Sequence, residues 1–535
     1  MMSALMLNLS PPNEDSAALL RQHFGLARFR PGQREIIHSV REGKDVLAVL
    51  PTGGGKSLCY QFPAVAGGGL VLVISPLIAL MKDQVDSLNR MGVPAGAIHS
   101  GQTEAEKREV FRRLNNGGPF LLYVSPERTQ KEGFQRWVRS VRPLLFAIDE
   151  AHCVSQWGHD FREEYSQLSI LKQLWPEVPV LALTASATPF VLNDIAKQLT
   201  LKSPARHVHG FYRPNLYYQV EACTNDEAKI AMLRQGLKQT PEGRILIYCG
   251  TRAVTEEVAE VLGQEFSGVG FYHAGLSTDQ REQVQNAYAA GQLRILVATN
   301  AFGMGIDHPN VRLVIHFQMP GNIDALYQEM GRAGRDSAES TCVLLYAKKD
   351  KGLQSFFIQN SKAPSHIVNS RWRSLVNLVA YAEGGECRHA EILTYYQDAQ
   401  RLENCGHCDV CLPASPRRVR TPLLERVSRG LGLGSGQTGK SGAKPSGRKK
   451  KGGPSPGELL NDEQQRLFEA LRQWRRLKAK ELDVPAFVVL SDRSLRHLAE
   501  VRPRELRQLH DIYGLGDKKI ESFGREILAE IHLFV

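Results

Sequence analysis

Several things are scarce in this chain of 535 residues. No apolar run approaches the roughly 18 residues that a membrane-spanning helix needs. Met1 to Ser10 are apolar but carry no basic stretch before Pro11 and Pro12. Such a beginning does not read as a secretory leader, so the expected compartment is the reducing cytoplasm, with no membrane partner. Cysteine is too sparse for a disulfide scaffold: there are nine, and five of them (Cys59, Cys153, Cys223, Cys249 and Cys342) are scattered singly. In a reducing compartment these five are expected to pack as small apolar groups. Acid is in deficit, with 56 Asp plus Glu against 67 Lys plus Arg and a net charge of +11. That deficit is local. Residues 414–457 hold eleven Lys or Arg and one acid, Glu425, so 11 − 1 = +10 sits there. The remainder is close to neutral and is not a basic domain, and a polyanion drawn by charge would be drawn to that one segment.

What is present is a repeating pattern. The runs 45–50, 70–74, 120–124, 144–148 and 180–183, then 244–248, 269–272, 294–298, 313–317 and 342–346, are apolar and alternate with polar, helix-like stretches. Short apolar runs bounded by Gly and Pro predict strands buried on both faces, joined by crossover helices. The chain therefore reads as two successive α/β domains with parallel sheets, residues 1–208 and 209–347, meeting near Ser203 to Pro214. Residues 348–413 read as helical and contain the other four cysteines. Residues 414–457 contain ten Gly, five Pro and six Ser. That composition buries too little apolar surface to offset ordering entropy, which predicts a disordered linker. Over 458–535 helical periodicity returns through Leu467, Leu471, Trp474, Leu495, Leu498, Leu509, Ile527 and Ile531. This predicts a small all-α module, with fourteen charges of each sign.

Three motifs point to nucleotide chemistry. Pro51-Thr-Gly-Gly-Gly-Lys-Ser57 follows a predicted strand and precedes a predicted helix, the setting a phosphate-binding loop requires. Gly53, Gly54 and Gly55 let backbone N–H groups curl round phosphate oxygens; Lys56 is placed to reach the outer phosphates, and the Ser57 hydroxyl to ligate Mg²⁺. The strict pattern has glycine where Leu50 stands. Asp149-Glu-Ala-His152 ends the run 144–148 and puts two carboxylates at a strand's C-terminal edge. Asp149 suits Mg²⁺, Glu150 suits the attacking water, and His152 suits coupling rather than metal, since no second histidine is suitably spaced. Gln328-Glu-Met-Gly-Arg-Ala-Gly-Arg335 lies in the second α/β domain, and its Arg332 and Arg335 would offer forked donors to γ-phosphate charge.

Two further clusters stand out. Cys153-Val-Ser-Gln-Trp-Gly-His-Asp-Phe-Arg-Glu-Glu-Tyr165 spaces Trp157, Phe161 and Tyr165 among polar groups, off any core period. Cys387, Cys405, Cys408 and Cys411 have the short paired spacing of a four-thiolate zinc site, closed and therefore structural. His389 and His407 lie nearby, but the tetrad needs neither.

Taken together, this set resembles the superfamily-2 helicases, and within them the RecQ family, over roughly residues 15–413 and again from 458. Phe24-Gly-Leu-Ala-Arg-Phe-Arg-Pro-Gly-Gln33 is similar to the family's nucleotide-reading element; it implies adenine contacts from Arg30 and Gln33 and packing from Leu26, where many relatives have an aromatic. Ser75–Gln84, Leu183–Thr188 and Ala298–Asp307 match other helicase motifs and add Asp307 to the ATP-binding set. The 153–165 segment resembles the family's aromatic loop, which implies that His152, Trp157, Phe161 and Arg162 couple single-stranded DNA to the ATPase. The C-terminal module resembles the HRDC domain through Gln473-Trp-Arg-Arg476, Val484–Val489 and Tyr513–Lys519. The resemblance implies two RecA-like lobes, a helical zinc-binding subdomain, a linker and an HRDC-like domain. It also implies ATP, Mg²⁺ and Zn²⁺, and 3′-to-5′ unwinding of duplex or branched DNA in recombination and repair. Its implied partners are single-stranded and branched DNA and a single-strand-binding protein or topoisomerase, at the bacterial nucleoid. An RNA helicase and a non-catalytic DNA scaffold are the competing classes. Comparing DNA with RNA stimulation of the ATPase separates the first, and the intact set Lys56, Glu150, Gln328, Arg332 and Arg335 argues against the second.

One family feature is missing. Relatives carry a winged-helix domain between zinc and HRDC, but only 46 residues separate Cys411 from Glu458 here. With that fold absent and the tail neutral, duplex phosphates are expected to meet the basic linker, above all Arg448-Lys-Lys-Lys451. Each phosphate neutralised adds roughly −0.9 to the slope of log affinity against log salt on duplex DNA. Replacing Arg448, Lys449, Lys450 and Lys451 with alanine should flatten that slope by about two to four units, as read by duplex binding across a salt series. An unchanged slope would make the segment a solvated spacer.

Overall fold

The computed structural model describes residues 14–158, 161–303, 308–361, 363–398, 400–420, 461–481, 486–490, 492–513 and 515–533. Its first sheet comprises β1 (Val46–Val49), β2 (Leu70–Ile74), β3 (Ala95–Ile98), β4 (Phe120–Val124), β5 (Leu145–Ile148), β6 (Val180–Thr184) and β7 (Ala205–Val208). All pairings are parallel and the order is β3-β4-β2-β5-β6-β1-β7. The second sheet has β8 (Leu216–Ala222), β9 (Arg244–Tyr248), β10 (Val269–Tyr272), β11 (Ile295–Ala298), β12 (Val311–His316) and β13 (Ser340–Tyr346), also parallel, in the order β10-β11-β9-β12-β13-β8. Helices cover both faces, which is why β1, β4, β5, β6, β11 and β13 are buried at every position. Among the described residues no helix is long and apolar enough to cross a membrane.

Three strands do not show in the apolar pattern. β3 is short and contains Gly96, whose lack of a side chain admits Val110: a Cβ there would lie 2.7 Å from Val110 Cγ1. β7 is a half-exposed edge strand carrying Arg206 and His207, and β8 turns polar towards its end. β7 closes the first sheet and β8 opens the second, so the chain crosses between lobes at 209–215.

Behind the second sheet, the helices Lys348–Gln359, Ser365–Gly384 and Arg388–Tyr395 lead into the cysteine cluster. The first is fastened by a fully buried ion pair: Lys229 Nζ donates to both Asp350 oxygens at 3.0 and 2.8 Å and to the Phe317 carbonyl at 2.7 Å. Removing one member of such a pair costs about 3–5 kcal/mol, so the pair holds the helix to the second lobe.

The linker expectation needs correcting at its start. Residues 415–420 pack on the second lobe: Val419 is buried in its core and exchanges hydrogen bonds with the Gln219 side chain at 2.8 and 2.9 Å, while Arg418 pairs with Glu221 at 3.2 Å. These contacts cover the outer edge of β8. The rest of the linker, with Arg448–Lys451 and the expected absence of a winged helix, lies outside the described residues.

The C-terminal module contains the helices Asp462–Glu481, Ala486–Val489, Asp492–Val501, Leu506–Leu509 and Asp517–His532 round a core that includes Leu467, Leu471, Trp474, Leu495, Leu498, Leu509, Ile527 and Ile531. It touches the zinc region, where the Tyr513 hydroxyl donates to the Gly384 carbonyl at 3.1 Å.

Candidate nucleotide site and strand cleft

The phosphate loop forms where β1 ends and the helix Leu58–Gly67 begins. Gly53 and Gly55 adopt φ of +81° and +75°, open to glycine with little strain, and a Cβ on Gly54 would lie 2.9 Å from the Pro51 carbonyl. Lys56 and Ser57 follow at the helix N-terminus. Arg30 and Gln33, expected at adenine, hold the loop itself. Gln33 Nε2 donates to the Gly54 and Gly55 carbonyls at 3.2 and 2.9 Å, its Oε1 accepts from Arg30 N–H at 2.7 Å, and the Arg30 guanidinium donates to the Gly53 carbonyl. Leu26 stands exposed beside them.

Two carboxylates face this loop. Asp149 is buried, and burial together with the neighbouring Glu150 charge raises it to about 7, opposed by Lys56 and by a hydrogen bond from Glu150 N–H. Glu150 sits at φ 48°, ψ 47°, a left-handed conformation that costs a non-glycine residue of the order of 1–3 kcal/mol and that collects at functional sites. Its Oε2 is buried without a hydrogen bond and lies 3.4 Å from His152 Nδ1. Asp149, a buried carboxylate beside the phosphate loop, and the Ser57 hydroxyl are hard oxygen donors of the kind that would hold Mg²⁺. Tyr165 is no surface aromatic: it is buried and its hydroxyl donates to the Asp149 carbonyl at 3.1 Å, bracing the strand end.

From the second lobe, the helix Ile323–Met330 delivers Gln328 and stops at Gly331. Arg332 and Arg335 therefore lie on a turn after the helix, not on it. A Cβ on Gly331 would lie 3.2 Å from Thr52 Cβ of the phosphate loop, and Gly334 has φ +54°; those are the reasons for the two glycines. The pair diverges. Arg335 lies against the loop, its Cγ 3.3 Å from where a Cβ on Gly53 would be, whereas Arg332 is buried in its own lobe and donates to the Gly303 carbonyl. Asp307 lies outside the described residues. The sequence reading missed Arg213, which donates to Thr52 O at 3.2 Å across the lobes and to Gly331, Ala333 and Gly334 carbonyls at 3.5, 3.0 and 3.1 Å. No spacing rule flags it, since its acceptors lie more than a hundred residues away.

From His152, 3.4 Å from Glu150, a line of hydrogen bonds runs to the second lobe. His152 Nδ1 and the Thr184 hydroxyl are 2.9 Å apart, Thr184 Oγ1 donates to the Ser186 carbonyl at 3.2 Å, and Gln328 Nε2 donates to the Ser186 hydroxyl at 3.0 Å.

The aromatic loop opens onto a cleft of about 700 Å³ lined by Trp157 and Phe161 from the first lobe, Asn300, Gln318 and Arg332 from the second, and Arg371 from the helical region. Trp157 packs edge-on to Phe190 at 5.4 Å and tilted to His366 at 5.6 Å; Phe161 is 38% exposed. Arg162 is spent locally, on the Pro76 carbonyl at 3.3 Å.

The four cysteines converge, with all sulfurs within 4.8 Å of one another. Backbone N–H groups of Cys405, His407 and Cys411 point at the sulfurs of Cys387, Cys405 and Cys408 at 3.3–3.4 Å, a setting that favours thiolates and so suits Zn²⁺. His389 lies close by, a ring nitrogen within 4.8 Å of the Cys405 sulfur and of a His407 nitrogen, but its Nε2 is on the Leu216 carbonyl, its ring stacks on Tyr218, and burial lowers it to about 3. The cluster also braces the second lobe. Asp409 donates its N–H to Tyr218 O at 2.9 Å and accepts from Val220 N–H at 3.0 Å along the edge of β8, and buried Arg388 donates to the Asp409 carboxylate at 3.0 Å.

Comparison with known proteins gives four family matches: DEAD/DEAH box helicase over 30–195, helicase conserved C-terminal domain over 228–337, RecQ zinc-binding over 348–412 and HRDC domain over 464–531. The ATP-dependent DNA helicase RecQ of Bacillus subtilis is 34% identical, the match covering 97% of this chain and 98% of that protein. The RecQ of Pasteurella multocida is 41% identical over 77% of this chain, and the match spans 64% of its length. In structure, the Mycobacterium smegmatis helicase Lhr bound to single-stranded DNA and AMP-PNP superposes with a TM-score of 0.50 at 20% identity, covering 69% of this chain and 53% of that one.

Because a closed thiolate tetrad contributes folding energy outright, Cys408→Ser should cost soluble protein rather than chemistry. Metal analysis of the wild type should find about one zinc per chain; a folded, zinc-free wild type would contradict the site.

Proposed function

This chain belongs to the RecQ family of DNA helicases, and from that premise we propose that it hydrolyses ATP to move 3′ to 5′ along single-stranded DNA and to separate duplex or branched DNA. The observation that carries the proposal is the line from Glu150 through His152, Thr184 and Ser186 to Gln328, which ties the hydrolytic carboxylate to the opposite lobe.

In this reading the glycines 53–55 and Lys56 bind the phosphates, Arg30, Gln33 and Leu26 meet the adenine side, and Asp307 belongs to the same site. Ser57 and Asp149 would hold Mg²⁺, which would supply neutralisation of phosphate charge. Glu150 orients the attacking water and takes its proton through the oxygen left unbonded. Arg335 stabilises charge on the transferred phosphoryl group, and Arg332 joins it on leaving Gly303. Trp157 and Phe161 stack on bases, a contact worth ~1–3 kcal/mol each without sequence preference; Arg162 and His152 carry the contact back to Glu150. The B. subtilis alignment runs over 587 residues, more than this chain's 535, so that relative has segments with no counterpart here, in keeping with a shortened region between zinc and HRDC. Work in recombination and repair at the nucleoid, beside a single-strand-binding protein or a topoisomerase, completes the proposal.

Glu150→Gln should keep ATP affinity and lose DNA-stimulated hydrolysis by about two orders of magnitude or more, the usual size of a general-base contribution. Lys56→Ala should lose affinity as well. A nucleotide-binding titration on both variants checks the division of labour; equal loss of affinity in the two would overturn it.

A further inference from the structure

The strand cleft has an aromatic group that the roles above leave unused. Phe356 and Phe357 stand side by side on the helix Lys348–Gln359 with 59% and 43% exposure, in a T-shaped pair with centroids 6.2 Å apart. The buried side of that helix is made by Asp350, Gln354 and Ile358. Phe357 lines the cleft that Trp157 and Phe161 also line; Phe356 does not. An exposed ring costs hydration on a lone protein surface, and the place of Phe357 at the cleft marks a binding face rather than a core edge.

The polar lining suits a polyanion. Its two acids are already engaged: Asp324 accepts from the Tyr395 and Tyr396 hydroxyls at 2.7 and 3.0 Å, and Glu329 is bonded to His316 at 2.7 Å. Arg371 lines the same cleft from the next helix, its guanidinium on the Ser361 hydroxyl at 2.6 Å, and Asn300 and Gln318 add amides. Rings interleaved with guanidinium and amide groups, with the acids' oxygens taken up by the Tyr395, Tyr396 and His316 side chains, are what an unpaired strand meets in sequence-tolerant grooves.

We propose that Phe357 is a second stacking platform for single-stranded DNA, holding a base beside the one gripped by the aromatic loop; this rests on the strand-binding reading given above. Its value lies in where it is anchored. Trp157 and Phe161 belong to the first lobe, whereas Phe357 is tied to the second through the buried Lys229–Asp350 pair. The strand would thus be held by two rings from the first lobe and one tied to the second, so that each lobe has its own grip on it.

The test is binding of a fluorescein-labelled oligothymidylate to the full chain, read by anisotropy. Phe357→Ala should weaken binding about ten-fold, the equivalent of ~1.4 kcal/mol, and Phe357→Trp should restore it. Phe356→Ala, on the same helix and more exposed, should stay within about two-fold of wild type. On a strand of the same length made of abasic sites, Phe357→Ala and wild type should bind alike, because the phosphates remain and the bases do not. Wild-type affinity of Phe357→Ala for oligothymidylate, or an equal loss on the abasic strand, would overturn the proposal. A wild-type chain whose ATPase no single strand stimulates would instead overturn the strand-binding reading beneath it.

Discussion

The guanidinium of Arg213 reaches from the crossing between the lobes to the Thr52 carbonyl of the phosphate loop and to the Gly331, Ala333 and Gly334 carbonyls of the arginine-bearing turn. An arginine is always charged and its fork is rigid, so it fixes several acceptors at once without titrating. That junction sets the distance between the two halves of the nucleotide site. It also explains the glycines on both sides: Gly53 makes room for Arg335, Gly331 makes room for Thr52, and Gly334 takes a left-handed turn against Asn215. A side chain at Gly53 or Gly331 would press on the opposite lobe, and one at Gly334 would displace Asn215.

Given that spacing, a small change at the acids has a route outwards. Glu150 is strained and half-bonded, His152 is buried beside it, and Thr184, Ser186 and Gln328 continue the line into the second lobe. Each of these groups has a limited number of partners, so the line changes by exchanging hydrogen bonds rather than by stretching. The aromatic loop leaves the same short segment, with Arg162 N–H on the Cys153 carbonyl and Tyr165 on the Asp149 carbonyl. In the proposed function, strand contact and hydrolysis therefore act on one piece of backbone.

Much of this was legible in the sequence wherever the signal is local. Fully buried parallel strands leave unbroken apolar runs, the phosphate loop needs its glycines in order, and a thiolate tetrad needs its cysteines in close pairs. Where contacts join distant positions the sequence is silent. Arg213 and its acceptors, Val419 in the second lobe's core, and Tyr165 behind Asp149 all depend on pairings made only after folding. The divergence of Arg332 from Arg335 was hidden for another reason: the helix before them ends at Met330, and the turn that follows aims neighbouring side chains apart. β7 and β8 were missed because their sheet positions tolerate polar residues at an edge.

The central claim is that hydrolysis is governed through the hydrogen-bonded line between the lobes, and Thr184 is its narrowest point. Valine keeps the shape but not the hydroxyl that meets His152 and the Ser186 carbonyl. Measuring the ratio of ATPase rates with and without saturating single-stranded DNA for Thr184→Val tests this directly. Loss of one or two buried hydrogen bonds, each worth ~0.5–1.5 kcal/mol, should lower that ratio by roughly ten-fold. A ratio equal to wild type in a folded Thr184→Val protein would contradict the account.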